Sequence, residues 1–177
     1  MILREGEIEI DCAKALWADK FDCSQKYPRN KYGLAGVDFI IEVESHVFFV
    51  ELKDMKSMGA KRHGNTGHYV GNNQEKDKLK EALRKKFRDT WIYWRAMEES
   101  HKRIFCISFI ESDIGGYDFY SGMSKTLKKI LPVSQHQPCV WKAGLFENAV
   151  ILDLNKWNNQ FPDLPMRRVS ATASHCP

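Results

Sequence analysis

The chain begins with a stretch in which apolar residues recur at helical spacing. Across residues 8–21, Ala13, Leu16, Trp17 and Phe21 follow one another at steps of one, three or four residues, and charged residues fill the positions between them. Apolar residues at such steps lie on one face of a helix. We therefore predict an amphipathic helix over residues 8–21.

A pair of strands is predicted after a polar loop at residues 22–36. Residues 37–43 and 47–53 are rich in β-branched and aromatic side chains, and the three polar residues 44–46 separate them. Two such runs joined by a short turn are typical of a β-hairpin. The continuous apolar run from Val47 to Val50 favours an interior strand that is covered on both faces.

The second half of the chain alternates helical and strand patterns. A glycine-rich segment at residues 54–73 shows no clear periodicity and precedes a long amphipathic helix. The predicted elements that follow this segment are a helix at 74–100, a strand at 103–110, a helix at 121–131, and strands near 139–141 and 149–154.

This element order predicts an α/β (α+β) fold with a mixed central sheet flanked by helices. Residues 1–165 are expected to form one domain, and residues 166–177 are expected to be a flexible tail because they become polar and end in small residues.

Composition excludes several classes of protein. The chain has 177 residues, of which 43% are hydrophobic and 28% are charged, a composition typical of one folded domain. No apolar run reaches the roughly 18 residues that a membrane helix needs. No secretory signal is visible at the start, and five scattered cysteines without a CxxC pair favour buried free thiols. We therefore predict a cytoplasmic protein with no membrane partner.

Charge is distributed unevenly along the chain. The formal net charge is only +4, but residues 53–103 contain 14 basic and 7 acidic residues, a local net charge of +7. The remainder has 13 basic and 16 acidic residues, a net charge of −3. A basic middle segment favours a surface that binds a polyanion.

The most informative residues lie in the predicted hairpin. Side chains alternate along a strand, so Glu51 and Lys53 share one face, and the hairpin brings Asp38 next to them. Two carboxylates suit Mg²⁺, which prefers oxygen ligands, and the Leu52 carbonyl is within reach of the same position. A metal there would activate water for attack on a phosphodiester, with Lys53 positioning that water or stabilising negative charge.

Asp38, a 12-residue gap and then Glu51-Leu52-Lys53 resembles the signature of the PD-(D/E)XK nucleases. This superfamily includes restriction endonucleases and Holliday-junction resolvases, and its core is built in the order αβββαβ. The resemblance is strongest over residues 37–54 and extends loosely over about residues 5–110. Val37 stands where the name-giving proline would be.

The resemblance implies a role for each matching residue. Asp38 and Glu51 would be metal ligands for Mg²⁺ or Mn²⁺, and Lys53 would be the catalytic lysine. Many members add a glutamate from the first helix, for which Glu9 is our choice, and some carry a glutamine on the helix after the lysine, as at Gln74. The implied partner is nucleic acid, most directly DNA, and a homodimer is left open. The residues expected to contact nucleic acid are Lys56, Lys61, Arg62, Gln74, Lys76, Lys78 and Lys80.

The leading hypothesis is therefore a Mg²⁺- or Mn²⁺-dependent DNA endonuclease. The first alternative is a nuclease-fold module that has lost catalysis and binds nucleic acid or a protein partner. The second is a small-molecule-binding or protein-interaction domain in which Glu51 and Lys53 form a structural ion pair. The sequence does not distinguish DNA from RNA or endonuclease from exonuclease.

Overall fold

The computed structural model describes residues 1–54, 73–97, 101–111, 117–134 and 144–169. Helices α1, α2 and α3 span Asn73–Met97, Tyr117–Ile130 and Leu154–Gln160, and a short 3-10 helix spans Pro28–Tyr32. The eight strands are β1 Ile2–Glu5, β2 Ile8–Asp11, β3 Trp17–Lys20, β4 Phe39–Glu42, β5 His46–Asp54, β6 Arg103–Glu111, β7 Asn148–Leu152 and β8 Met166–Arg168.

The central sheet has five strands in the order β3-β4-β5-β6-β7. The pairs β3–β4 and β4–β5 are antiparallel, whereas the pairs β5–β6 and β6–β7 are parallel, so the sheet is mixed. A mixed α/β fold is thus confirmed. The predicted hairpin is also present as β4 and β5, and β5 is the middle strand of the sheet, which explains its continuous apolar run.

Apolar side chains cover both faces of the central sheet. Val47 and Phe49 of β5 belong to one buried cluster, which includes residues of α1 and α2. Phe48 and Val50 belong to a second cluster, which includes residues of β1, β2, β8 and α3. The alternation of side chains along β5 therefore supplies two cores, one on each side of the sheet.

The predicted helix over residues 8–21 is wrong. This region forms β2 and β3, and Ile8 and Ile10 are fully buried on either side of Glu9. Buried and less buried side chains alternate over Ile8, Glu9 and Ile10, and this alternation is typical of a strand. It prevails over the helical spacing of the apolar residues that follow. Gly6, with φ of 57°, makes the tight turn that joins β1 to β2, a left-handed conformation that glycine adopts without strain.

The start of the predicted tail is ordered. Met166–Arg168 form β8, which pairs with β2 in a three-stranded sheet of order β1-β2-β8. Arg168 also donates hydrogen bonds to the carboxylates of Glu7, Asp54 and Glu111, which links this small sheet to the ends of β5 and β6. Residues 170–177 lie outside the described residues.

Other sequence expectations have mixed outcomes. The long helix, the strand at 103–110, the helix near 121–131 and the strand near 149–154 are all confirmed. The segment 55–72 and the strand expected near 139–141 lie outside the described residues.

Cys12 and Cys106 are free and buried as expected, but Cys23 is disulfide-bonded. Within the described ranges, no helix is long and apolar enough to cross a membrane.

Candidate active site

The hairpin register places Asp38 beside Glu51. Phe39 pairs with Val50, so one step further along the ladder Asp38 faces Glu51. The Asp38 carboxylate is nearly buried, and its Oδ2 accepts a hydrogen bond of 2.6 Å from the Leu52 backbone N–H. Asp38, the residue directly before β4, is thus hydrogen-bonded to β5, the strand that carries the other two predicted residues.

Glu51 and Lys53 meet on one face of β5, as the alternation of strand side chains predicts. Glu51 is fully buried, and Lys53 Nζ lies 2.6 Å from Glu51 Oε1. Burial raises the pKa of the Glu51 carboxyl and the Asp38 charge raises it further, while Lys53 and Lys86 act in the opposite direction. The pKa of Glu51 remains above its ordinary value, because a buried carboxylate loses its hydration.

A second lysine, Lys86 of α1, joins both acids. Its Nζ donates hydrogen bonds of 2.6 and 2.7 Å to the two Glu51 carboxylate oxygens and lies 3.5 Å from Asp38 Oδ1. Burial acts to lower the pKa of Lys86, but the charges of Asp38 and Glu51 outweigh it and the pKa is raised.

Lys86 was not among the residues that the sequence predicted. It lies three residues after Leu83 and seven after Leu79, which places it on the buried stripe of the helix. The sequence did contain a signal for Lys86, namely a lysine on an otherwise apolar face of the helix. Because a buried charge requires a partner, such a lysine is expected to contact an acid.

The same helix holds the loop that leads to Asp38. Asp89 accepts a hydrogen bond of 3.1 Å from the Ala35 N–H, and Thr90 Oγ1 accepts one of 3.0 Å from the Val37 N–H. Lys85 donates to Asp89 at 2.6 Å and to the Gly33 carbonyl at 3.3 Å. Helix α1 therefore positions Asp38 through its loop and contacts both acids through Lys86.

Asp22, just after β3, is a further acid near Asp38. Asp22 Oδ1 is buried and has no hydrogen-bond partner among the described residues. Burial raises the pKa of Asp22 and the charge of Asp38 raises it further, against the opposing charges of Lys20 and Arg29. The sequence carried no signal for Asp22, because the pattern before it predicted a helix.

Glu9, the acid chosen by analogy with the nuclease family, is engaged elsewhere. It lies in β2 of the three-stranded sheet, where Oε1 is 3.4 Å from Arg4 Nη1 and Oε2 is 2.9 Å from Arg167 Nη2. The helix expected to present it is absent from residues 8–21. The structure therefore brings Asp38, Glu51 and Lys53 together and leaves Glu9 with two arginines.

The donor set fits a hard divalent cation with few protein ligands. Within the ranges that the structure describes, no three His, Cys, Asp or Glu side chains form a group that could hold a metal ion. Asp38 and Glu51 provide two adjacent carboxylates, and Mg²⁺ commonly binds through one or two carboxylates and several waters. Asp38, Glu51 and the Leu52 carbonyl would be the residues that hold such an ion.

The residues predicted to contact nucleic acid are only partly described. Lys56, Lys61 and Arg62 lie outside the described residues, as does the side chain of Gln74. Lys76, Lys78 and Lys80 lie in the N-terminal part of α1, where Lys78 is exposed and Lys80 forms an ion pair of 2.5 Å with Asp77. At about 1.5 Å per residue, Lys78 is about 12 Å along the helix axis from Lys86.

Comparisons with known proteins return nothing: no family model, no curated protein and no solved structure matches the chain. The functional argument therefore depends on the site itself. Two adjacent carboxylates, two lysines and a basic helix make an arrangement that can bind a divalent cation and attract a phosphodiester.

Proposed function

We propose that this protein is a Mg²⁺- or Mn²⁺-dependent nuclease that hydrolyses phosphodiester bonds of DNA, acting as an endonuclease. The observation that carries the proposal is the convergence of Asp38, Glu51 and Lys53, with Lys53 Nζ 2.6 Å from Glu51 Oε1. A buried carboxylate attracts a lysine in a structural ion pair as well, so the Glu51–Lys53 contact alone does not select catalysis. The support comes from all three residues together, because Asp38, Glu51 and Lys53 match the order of the nuclease signature and Asp38 is hydrogen-bonded to the strand that carries the other two.

The order of elements supports the same proposal at the level of the fold. Strands β3, β4 and β5, helix α1 and strand β6 follow one another as βββαβ. This order is that of the last five elements of the αβββαβ core of the PD-(D/E)XK nucleases. The first helix of that core has no counterpart in residues 8–21, where the chain forms strands instead. Asp38 directly precedes the second strand of this series, and Glu51 lies on the third.

Each residue of the site has a distinct task in hydrolysis. Asp38 and Glu51 would hold the divalent cation, which when bound supplies Lewis acidity toward a water and the phosphodiester. Lys53, at the more exposed end of β5, would orient or deprotonate the attacking water or stabilise charge that develops on the phosphate. The hydrogen bond from the Leu52 N–H would keep Asp38 fixed while the site is used.

The substrate class is inferred from the positive charge of helix α1. Basic residues occur along α1 from its N-terminal part to the turn that carries Lys86, which contacts Glu51. A polyanion bound along this helix would therefore reach the two acids. Contacts from lysine to phosphate depend on salt and carry little sequence information. Lys80 and Arg84 pair with Asp77 and Glu81, which lowers the net positive charge of this face. Its binding to nucleic acid would weaken further at high ionic strength, because salt screens exposed charges.

The proposal is tested by incubating the purified protein with supercoiled plasmid and with single-stranded DNA, in Mn²⁺ or in EDTA. We expect nicking in Mn²⁺ that is absent in EDTA and absent in Lys53→Met. Lys14→Met is the matched control. Lys14 pairs with exposed Asp163, so this substitution removes the same charge without affecting the site. Nicking that survives in EDTA or in Lys53→Met would overturn the proposal.

A second candidate is a nuclease-fold module that binds nucleic acid or a protein partner without cleaving. The contact of Lys86 with both acids favours it, because Lys86 and Lys53 together balance the two carboxylates without any metal. Salt-sensitive DNA binding without cleavage, unchanged by Mn²⁺ or by Asp38→Asn, would select this candidate over the enzyme.

A further inference from the structure

Lys86 contacts the carboxylate oxygens that a metal would need. Its Nζ is 2.6 and 2.7 Å from the two oxygens of Glu51 and 3.5 Å from Asp38 Oδ1. We propose that Lys86 and a divalent cation compete for these oxygens, so that metal binding displaces Lys86 from both acids. The inference rests on the proposed function, because it concerns the regulation of the same site.

The distances leave no room for both cations. Mg²⁺ binds oxygen at about 2.0–2.1 Å, so an ion shared by Asp38 and Glu51 would lie where the Lys86 ammonium now contacts them. Two positive charges at that separation repel strongly in a partly buried site, where the effective dielectric constant is far below that of water. One of the two must leave, and the lysine is the one on a flexible stem.

Lys86 is the lysine that has to move, because it occupies the oxygens that a shared ion would need. It contacts both Glu51 oxygens and lies 3.5 Å from Asp38 Oδ1, whereas Lys53 contacts Glu51 Oε1. Both side chains are partly exposed, 27% for Lys86 and 35% for Lys53, so the four-carbon stem of Lys86 has a path to solvent. The two lysines therefore have different roles, with Lys53 remaining beside the acid and Lys86 giving up its position.

The exchange alters the charge that a phosphodiester would meet. Asp38 and Glu51 are balanced by Lys53 and Lys86 in the structure, so these four groups sum to zero when all are ionised. Replacing Lys86 by a divalent cation gives the site one positive charge and leaves a second ammonium at its rim. The site would thus attract DNA strongly only after it has taken up metal.

The first experiment measures Mn²⁺ affinity by titration calorimetry for the full chain, for Lys86→Met and for the matched control Lys14→Met, which removes a lysine from an exposed ion pair with Asp163. We expect Lys86→Met to bind Mn²⁺ about tenfold more tightly or better, about 1.4 kcal/mol, and Lys14→Met to bind as the unmodified chain does. Equal or weaker binding by a folded Lys86→Met would overturn the competition.

The second experiment uses the unmodified chain, so that it remains informative if Lys86→Met does not fold. Acetic anhydride labelling of lysines, read by mass spectrometry, should increase at Lys86 when Mn²⁺ is added and stay constant at Lys14. Unchanged labelling at Lys86 while Mn²⁺ binds at Asp38 and Glu51 would overturn the inference alone.

Failure of the underlying function would look different. If neither the unmodified chain nor Lys86→Met binds Mn²⁺, the metal site itself is contradicted, and the inference falls with it. If the unmodified chain fails to bind but Lys86→Met binds and loses binding on the further change Asp38→Asn, the competition is supported while the metal-dependent enzyme is not.

Discussion

The Asp38 carboxylate accepts a 2.6 Å hydrogen bond from the Leu52 N–H, across the junction between β4 and β5. Its Oδ2 is therefore committed to the backbone, whereas Oδ1 faces the Lys86 ammonium at 3.5 Å. The Asp38 side chain thus joins the two strands of the site through Oδ2 and directs Oδ1 toward a cation. The structural and chemical roles of Asp38 are separable by substitution.

The first prediction distinguishes Asp38→Asn from Asp38→Ala. An asparagine oxygen still accepts the Leu52 N–H, so Asp38→Asn should lose cleavage and retain most of the stability. Alanine leaves that buried donor without a partner, which costs about 1–3 kcal/mol. Chemical denaturation should therefore show a clear loss for Asp38→Ala only. Equal stability of the two variants would mean that the hydrogen bond contributes little.

The second prediction concerns Asp89 and pH. Burial acts to raise the pKa of Asp89, but hydrogen bonds from Lys85, the Ala35 N–H and Arg88 outweigh it and hold the pKa below its ordinary 3.8. A depressed pKa means that Asp89 stabilises the fold above that value and loses this contribution as pH falls through the folded pKa. Asp89→Asn should cost about 1–3 kcal/mol at neutral pH.

The difference between Asp89→Asn and the unmodified chain should therefore shrink as the pH is lowered below 3.8. Urea unfolding at several pH values measures it directly. A difference that stays constant or grows in acid would show that the ionised carboxylate does not anchor the loop before Asp38.

The third prediction is that Gly36→Ala destabilises the same loop. An added Cβ at Gly36 would lie 2.6 Å from Cζ of buried Arg29, which also donates to the Phe21 carbonyl. Moving this guanidinium should cost about 1–3 kcal/mol, typical of overpacking. Gly122→Ala is the control: it lies in α2 with nothing within 4 Å of the added carbon, and should be neutral or stabilising. A melting temperature for Gly36→Ala equal to that of Gly122→Ala contradicts the steric argument.

The fourth prediction tests whether β8 belongs to the fold. Arg168→Met removes the partner of three carboxylates, those of Glu7, Asp54 and Glu111, and should cost about 2 kcal/mol. Arg167→Met is the matched control, since its side chain is 68% exposed, and it should cost less than about 0.5 kcal/mol. If thermal unfolding gives equal losses for the two variants, Arg168 does not join the two sheets.

Sequence patterns were informative where one local rule dominated. The β4–β5 hairpin follows from β-branched residues around a short polar turn, and its register alone brings Asp38 to Glu51. The helix predicted over residues 8–21 was wrong because Leu16 and Phe21 happen to share a helical spacing with Ala13. In the structure Leu16 and Ala13 are exposed, and Phe21 is buried by packing against the central sheet, which no local window records.

The site was predictable as far as it is local. Glu51 and Lys53 are two residues apart, so the strand period fixes their common face. Lys86 reaches the acids from a helix 35 residues beyond Glu51, and β8 returns to β2 from the far end of the chain. Contacts of that separation depend on how helices and sheets pack together, which a single sequence does not encode in any short motif.

The measurement that tests the central claim most directly is anomalous scattering from crystals soaked in Mn²⁺. We predict a manganese peak bonded to Asp38 Oδ1 and Glu51, with the Lys86 ammonium moved away from both and Lys53 still beside Glu51. Manganese that binds at full occupancy only at other sites would contradict the account. So would a Lys86 ammonium that still bridges the two acids at saturating Mn²⁺.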